Sequence, residues 1–130
     1  MQLKTIFTVN YIYAFLFGAG FVFLPTLCSS LVGFEVAGDA PLIARCMGLF
    51  VICTGVLTFL ARDAEKSTAR RAIVVSMFVL FILLALFKVL MNLVWGIPLG
   101  PMLVVLYVLH IVFIVTYGYH LFGRPREIGS

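Results

Sequence analysis

The sequence predicts an all-α, polytopic membrane protein: an antiparallel bundle of four transmembrane helices with both termini cytoplasmic. Three observations predict it. Of 130 residues, 64% are hydrophobic and 11% charged, with a mean hydropathy of +1.21, whereas a soluble domain carries about 25% charged residues. The apolar residues gather into four runs, each long enough for the roughly 20-residue crossing of a bilayer. Most basic residues fall on one side of those runs. These 130 residues therefore read as a single transmembrane domain, with no separate soluble catalytic domain among them.

The spans are expected at about 5–24, 41–61, 69–95 and 101–122. The first follows Lys4 and ends near Pro25. It exceeds the 7 to 15 apolar residues of a typical signal peptide and no A-x-A site follows. In Leu24-Pro25-Thr26-Leu27-Cys28 the bulky Leu27 occupies the position where a lipoprotein cleavage site needs a small residue, so the span is read as a retained helix. The second span opens at Pro41 behind Asp39, and the third behind Ser67-Thr68. Both openings place capping oxygens or a first-turn proline where helices begin. Gly96, Pro98, Gly100 and Pro101 separate the last two spans so tightly that they must form a hairpin. "ARDAEKSTARR" reads as a short charged connector, partly helical. The connection after Pro25 is longer and mildly apolar, suited to the interface or to folding back on the bundle.

Lys4, Arg62, Lys66, Arg70, Arg71, Arg124 and Arg126 lie on one side of the spans, and the opposite connections, "CSSLVGFEVAGDAP" and "GIPLGP", carry only acids. The positive-inside rule then puts both termini in the cytoplasm. The formal charge of +4 is accordingly a topology signal, with no nucleic-acid partner implied. Cys28, Cys46 and Cys53 form no CxxC pair and are expected as buried structural thiols.

Helices in lipid meet through small residues. Ala44, Gly48 and Gly55 share one side of the second span, and Gly18 and Gly20 are expected to serve similarly in the first. Thirteen Phe fill the remaining volume or face lipid. Tyr11, Tyr13, Trp95, Tyr117 and Tyr119 are expected as interfacial anchors. Asn10 is expected to bond Tyr117 or His120 as glue between helices.

Of the nine basic residues only Arg45 and Lys88 remain once the seven at the cytoplasmic side are counted; both sit within spans, and intramembrane charge marks candidate function. Side chains lean toward the N-terminus of their helix. Arg45 therefore leans out to water, as an interfacial anchor would, whereas Lys88 leans toward the membrane centre, roughly 10 Å below the outer interface at about 1.5 Å per residue. None of the five acids, Glu35, Asp39, Asp63, Glu65 and Glu127, falls within a span. The counter-group of Lys88 must be a neutral acceptor, an outer-loop acid folded inward, an anionic lipid or ligand, or a carboxylate on another protein; otherwise the lysine is neutral. Asn92 lies one turn beyond Lys88 on the same face. His110 lies near it in depth, with Tyr107 one turn above. Lys88, Asn92, Tyr107 and His110 thus form a candidate outer-leaflet pocket with Arg45 at its rim. A lone histidine in an apolar helix most often donates to a carbonyl or hydroxyl. The functional alternatives for His110 are a proton-linked group, a single axial metal or haem ligand, or a magnesium ligand of a chlorin. His120 lies ten residues on along the same span, which disfavours bis-histidine haem.

The segment "ARCMGLFVICTGVLTFLARD", an arginine opening a glycine-containing span that closes on another arginine, together with four short spans in this length, resembles small bacterial DoxX-like four-helix membrane proteins. The resemblance covers mainly Ala44 to Asp63 and the layout. It implies a four-helix fold and, in some members, redox or quinone-linked complexes; no site residue carries over.

Two functions follow as expectations. The first is an accessory or scaffold subunit of the bacterial inner membrane, associating with lipids and with other membrane subunits or itself. The second is a binder or carrier of an amphiphile (anionic lipid, quinone, or haem or chlorin pigment) near Lys88 and His110. Catalysis is disfavoured, because the spans supply no acid and no Cys/His pair at recognisable spacing.

Overall fold

Long apolar runs become helices in lipid because every backbone N–H and C=O must be bonded within the segment. The computed structural model describes residues 2–33, 38, 40–96 and 100–123, with only the backbone of Trp95. The described chain contains α1 (Leu3–Phe23), α2 (Pro25–Leu31), α3 (Ala40–Arg62), α4 (Thr68–Trp95) and α5 (Pro101–Gly118), the last continuing as a wider π turn over Tyr119–Gly123. Four of these segments, α1, α3, α4 and α5 with its π turn, are long and apolar enough to cross a membrane. They coincide closely with the four expected spans.

Sequence chemistry sets the ends. The Ser67 hydroxyl accepts from the Arg70 N–H at 3.2 Å and so caps α4, removing one of the unbonded donors of a helix start. Gly96 closes α4 with φ +63°, a left-handed conformation that glycine adopts without a Cβ penalty. Gly100 precedes α5, whose first residue is Pro101. The expected Asp39 cap, Pro98, and the tail residues Arg124 and Arg126 lie outside the described residues. The connector is partly helical as expected: its two ends belong to α3 and α4, and Asp63–Ser67 is not helical.

Pro25 does more than end α1. It is the first residue of α2, a role its fixed φ and missing N–H suit. This short helix buries Pro25 and Ser29 and packs against α1 and α3. A Cβ on Gly20 would stand 3.0 Å from the Cys28 sulfur, so Gly20 makes room for α2; Cys28 is only half-buried there, and Cys46 and Cys53 are exposed on α3, against the burial expected of all three.

The expected small-residue face of α3 is its contact with α1. A Cβ on Gly48 would stand 2.7 Å from the Gly18 carbonyl oxygen, one on Gly18 would stand 2.8 Å from the Gly48 oxygen, and one on Gly55 would meet Ala14 at 3.1 Å. Further along, Tyr11 meets Phe59 edge to face. Numbers rise along α1 as they fall along α3. The α4 and α5 pair shows the same opposed register, Phe78 against Gly118, Phe81 stacked on Phe113 and Lys88 on His110.

Large side chains of α1 and α5 join the two pairs. Phe7 and Tyr117 are fully buried with ring centroids 6.0 Å apart, in a core shared with Val74, Met77, Phe81 and Phe113. Asn10 donates to the Tyr117 hydroxyl at 2.8 Å, the first of the two alternative partners expected for it. Two tyrosines expected at the interface are instead interior. Tyr117 is completely buried and Tyr13 is half-buried, because Tyr13 lies midway along α1 and Tyr117 falls on the buried stripe of α5. Tyr119 is exposed, and the Trp95 side chain lies outside the description.

Where α1 begins and α3 ends, Asp63 bridges Lys4 at 2.6 Å and Arg62 at 2.6 Å. The Lys4 ammonium first, then the Arg62 guanidinium, hold the Asp63 carboxyl below the usual carboxylate range. A carboxyl whose folded pKa lies below its unfolded one stabilises the fold above the unfolded value, and that contribution disappears as pH falls through the folded one. Melting followed through the acid range should therefore show a small destabilising step that Asp63→Asn removes; an identical profile in the variant would discount the bridge.

Candidate interior polar site

The inward stripe of α4 runs Val74, Met77, Phe81, Ala85, Lys88, Met91, at the three- and four-residue spacing of one helix face. Lys88 takes a place that this pattern reserves for an apolar residue. It is 9% exposed, so the side chain turns into the bundle.

On α5 the inward stripe is Leu103, Leu106, His110, Phe113, Tyr117. His110 is buried and its ring lies between Phe81, at 5.3 Å, and the edge-on ring of Tyr13, at 6.2 Å. Lys88 Nζ lies 2.5 Å from His110 Nδ1, and Tyr13 Oη lies 3.3 Å from His110 Nε2. An ammonium has no lone pair. As the cation, Lys88 therefore donates to Nδ1, which leaves the ring proton on Nε2 to donate to the Tyr13 hydroxyl. The line Lys88–His110–Tyr13 crosses three helices, and both ring nitrogens of His110 are engaged.

Of the counter-groups the sequence allows for Lys88, the structure supplies the neutral acceptor. Among the described residues it supplies no counter-charge, and the outer-loop acids Glu35 and Asp39 lie outside them. Among the described residues the acids are Asp63 and Glu65; Glu65 precedes Lys88 by 23 residues, roughly 35 Å of helix rise. An ammonium has three N–H bonds, and His110 takes one.

The other expected site residues stand differently. Asn92 is half-buried one turn beyond Lys88, Tyr107 is half-buried one turn before His110, and Arg45 is exposed on α3. Neither Tyr107 nor Arg45 is hydrogen-bonded to the Lys88–His110 pair. Tyr13 is the member that sequence reasoning missed. Its signal was present, since it lies at the middle of its span and three residues after Asn10, on the same helix face.

Among the described residues no group of three or more His, Cys, Asp or Glu could hold a metal ion. Axial ligation by His110 would first require Lys88 or Tyr13 to give up its nitrogen. An apolar hollow of about 130 Å³ lies among α1, α2 and α5, lined by Phe17, Phe21, Val32 and Met102 among others, without Lys88 or His110. Phe17 stacks on Tyr13 at 5.4 Å, so the hollow adjoins the far end of the polar line.

The chain matches no known protein family, no curated protein and no solved structure.

Proposed function

We propose that this chain is a small multi-pass protein of the bacterial inner membrane that binds or carries an amphiphilic small molecule, its headgroup at Lys88 and His110. The proposed setting is an antiparallel four-helix bundle with both termini cytoplasmic. Opposed contact registers in both helix pairs support the antiparallel arrangement, and the basic residues near Lys4 and along Arg62–Arg71 support the orientation. The layout resembling DoxX-like proteins belongs to the same proposal.

The observation that carries the function is the inward direction of Lys88. A charge at the centre of a span costs about 2.5–3.5 kcal/mol and less toward its ends, whereas a hydrogen bond between membrane helices contributes about 0.6 kcal/mol on average. His110 alone does not offset the lysine. An anionic headgroup in the outer leaflet would.

A second reading, an accessory or scaffold subunit, is favoured by the outward faces of the spans. Leu42, Ile43, Phe50 and Leu60 on α3 and Leu83, Leu86 and Leu93 on α4 are all exposed, suiting lipid tails or neighbouring helices. Native mass spectrometry of the protein extracted with its lipids separates the readings. A bound small molecule that is lost in Lys88→Met at unchanged melting temperature is expected. Retention of that molecule by the variant would remove the Lys88 site, a constant protein partner without ligand would select the scaffold, and a bare monomer would count against both.

A further inference from the structure

Resting on the amphiphile reading, we infer that the Lys88 ammonium, held by His110 in the bundle interior, takes the carboxylate of a single-chain amphiphile such as a fatty acid. Three observations select this class from the others.

The first is charge. Lys88 is the only Lys or Arg among the buried polar residues described, and one ammonium with two N–H bonds beyond the one given to His110 matches one carboxylate with two acceptor oxygens. A quinone offers a neutral carbonyl and leaves the charge uncompensated. A phosphate headgroup is the usual partner of clustered or forked cations, and the nearest candidate for a second cation in the sequence, Arg45, is exposed on α3 and not bonded to the site. The second observation is the state of His110. Both ring nitrogens are occupied, by Lys88 and Tyr13, which leaves the imidazole to orient the amine and not to ligate the metal of a haem or chlorin. Tyr13 and His110 are thus positioning residues, and Lys88 is the contact to ligand.

The third is depth. The 28 residues of α4 are about 42 Å long, some 12 Å longer than the roughly 30 Å hydrocarbon core. With the excess shared between its ends, the backbone of Lys88, about 10 Å from the end of α4, lies about 4 Å inside the hydrocarbon boundary, with the ammonium somewhat deeper. That is within reach of a carboxylate at the headgroup level, its tail running toward the membrane centre.

The test titrates the delipidated, detergent-solubilised full chain with oleate, oleyl alcohol and decylubiquinone, counting adducts by native mass spectrometry. Oleate should bind and oleyl alcohol should not. Lys88→Met should weaken oleate about tenfold or more, and Lys88→Arg, which keeps the charge, should retain most of it. Melting temperatures of both variants report folding independently. Equal oleate binding by Lys88→Met overturns the inference. Lys88-dependent binding of decylubiquinone without oleate overturns the carboxylate class while leaving an amphiphile site, and binding of none of the probes overturns the carboxylate class and leaves the amphiphile reading to the lipid-extracted native mass spectrum.

Discussion

Gly48→Leu should be the most damaging single substitution in the bundle, lowering stability by about 3 kcal/mol or more, beyond the usual range for overpacking. The reason is what a side chain would meet. The first added carbon alone would stand 2.7 Å from the Gly18 carbonyl oxygen, and the next neighbours are Phe21 Cβ and Val22 Cγ2 at 3.0 Å. Two of these three atoms are backbone or Cβ, so they move only if α1 itself moves away from α3. Gly18→Leu should behave alike, because its Cβ would meet the Gly48 oxygen at 2.8 Å. Gly100→Ala is the control: a Cβ there meets nothing within 4 Å, and a change within about 0.5 kcal/mol is expected. Denaturant unfolding in detergent measures all three; tolerance of Gly48→Leu would mean that α1 and α3 are not in backbone contact.

The second large effect is an asymmetry between the two members of the interior pair. His110→Leu leaves the Lys88 cation and the Tyr13 hydroxyl in the bundle without their acceptor and donor. An orphaned buried polar group costs about 1–3 kcal/mol, more when charged, so a loss of about 2–4 kcal/mol is expected. Lys88→Met leaves the neutral His110 Nδ1 without its donor, but it also removes the buried charge that made the bond necessary. Since a membrane interhelical bond contributes only about 0.6 kcal/mol, this change should lie within about 1 kcal/mol of the parent and have either sign. The double variant should recover most of what His110→Leu loses. Equal losses in the two single variants would contradict the geometry of an inward lysine held by a neutral histidine.

Much of this was legible in the sequence because the governing signals are one-dimensional. The spans follow from apolar length, and Ser67, Gly96 and Pro101 mark the helix ends through local backbone chemistry. The Ala44, Gly48 and Gly55 face follows from helical spacing alone. What sequence reasoning missed depends on which faces meet. In the sequence Pro25 reads as a terminator, although the same ring also opens α2, a dual role that local sequence does not distinguish. Residue type places Tyr13 and Tyr117 at the interface, yet the stripe positions that bring them to His110 and Asn10 decide otherwise. Proximity in sequence makes Gly20 a partner of Gly18, and only the return of α2 assigns it to Cys28. Of the five candidate site residues, depth matching found Lys88 and His110, which touch. Depth says nothing of rotation about the helix axis, and Arg45, similar in depth, is exposed on α3.

The central claim is that Lys88 lies inside the bundle as a donor to the Nδ1 of a neutral His110. Solid-state nuclear magnetic resonance of the protein in lipid, with ¹⁵N-labelled histidine and lysine, tests it most directly, because only His110 and His120 contribute histidine signals and His120→Asn identifies the remaining one. The expected spectrum shows His110 neutral and protonated at Nε2, with its Nδ1 in contact with a lysine amine, a contact that disappears in Lys88→Met. A ring protonated at Nδ1, or a His110 signal unchanged by Lys88→Met, would contradict it.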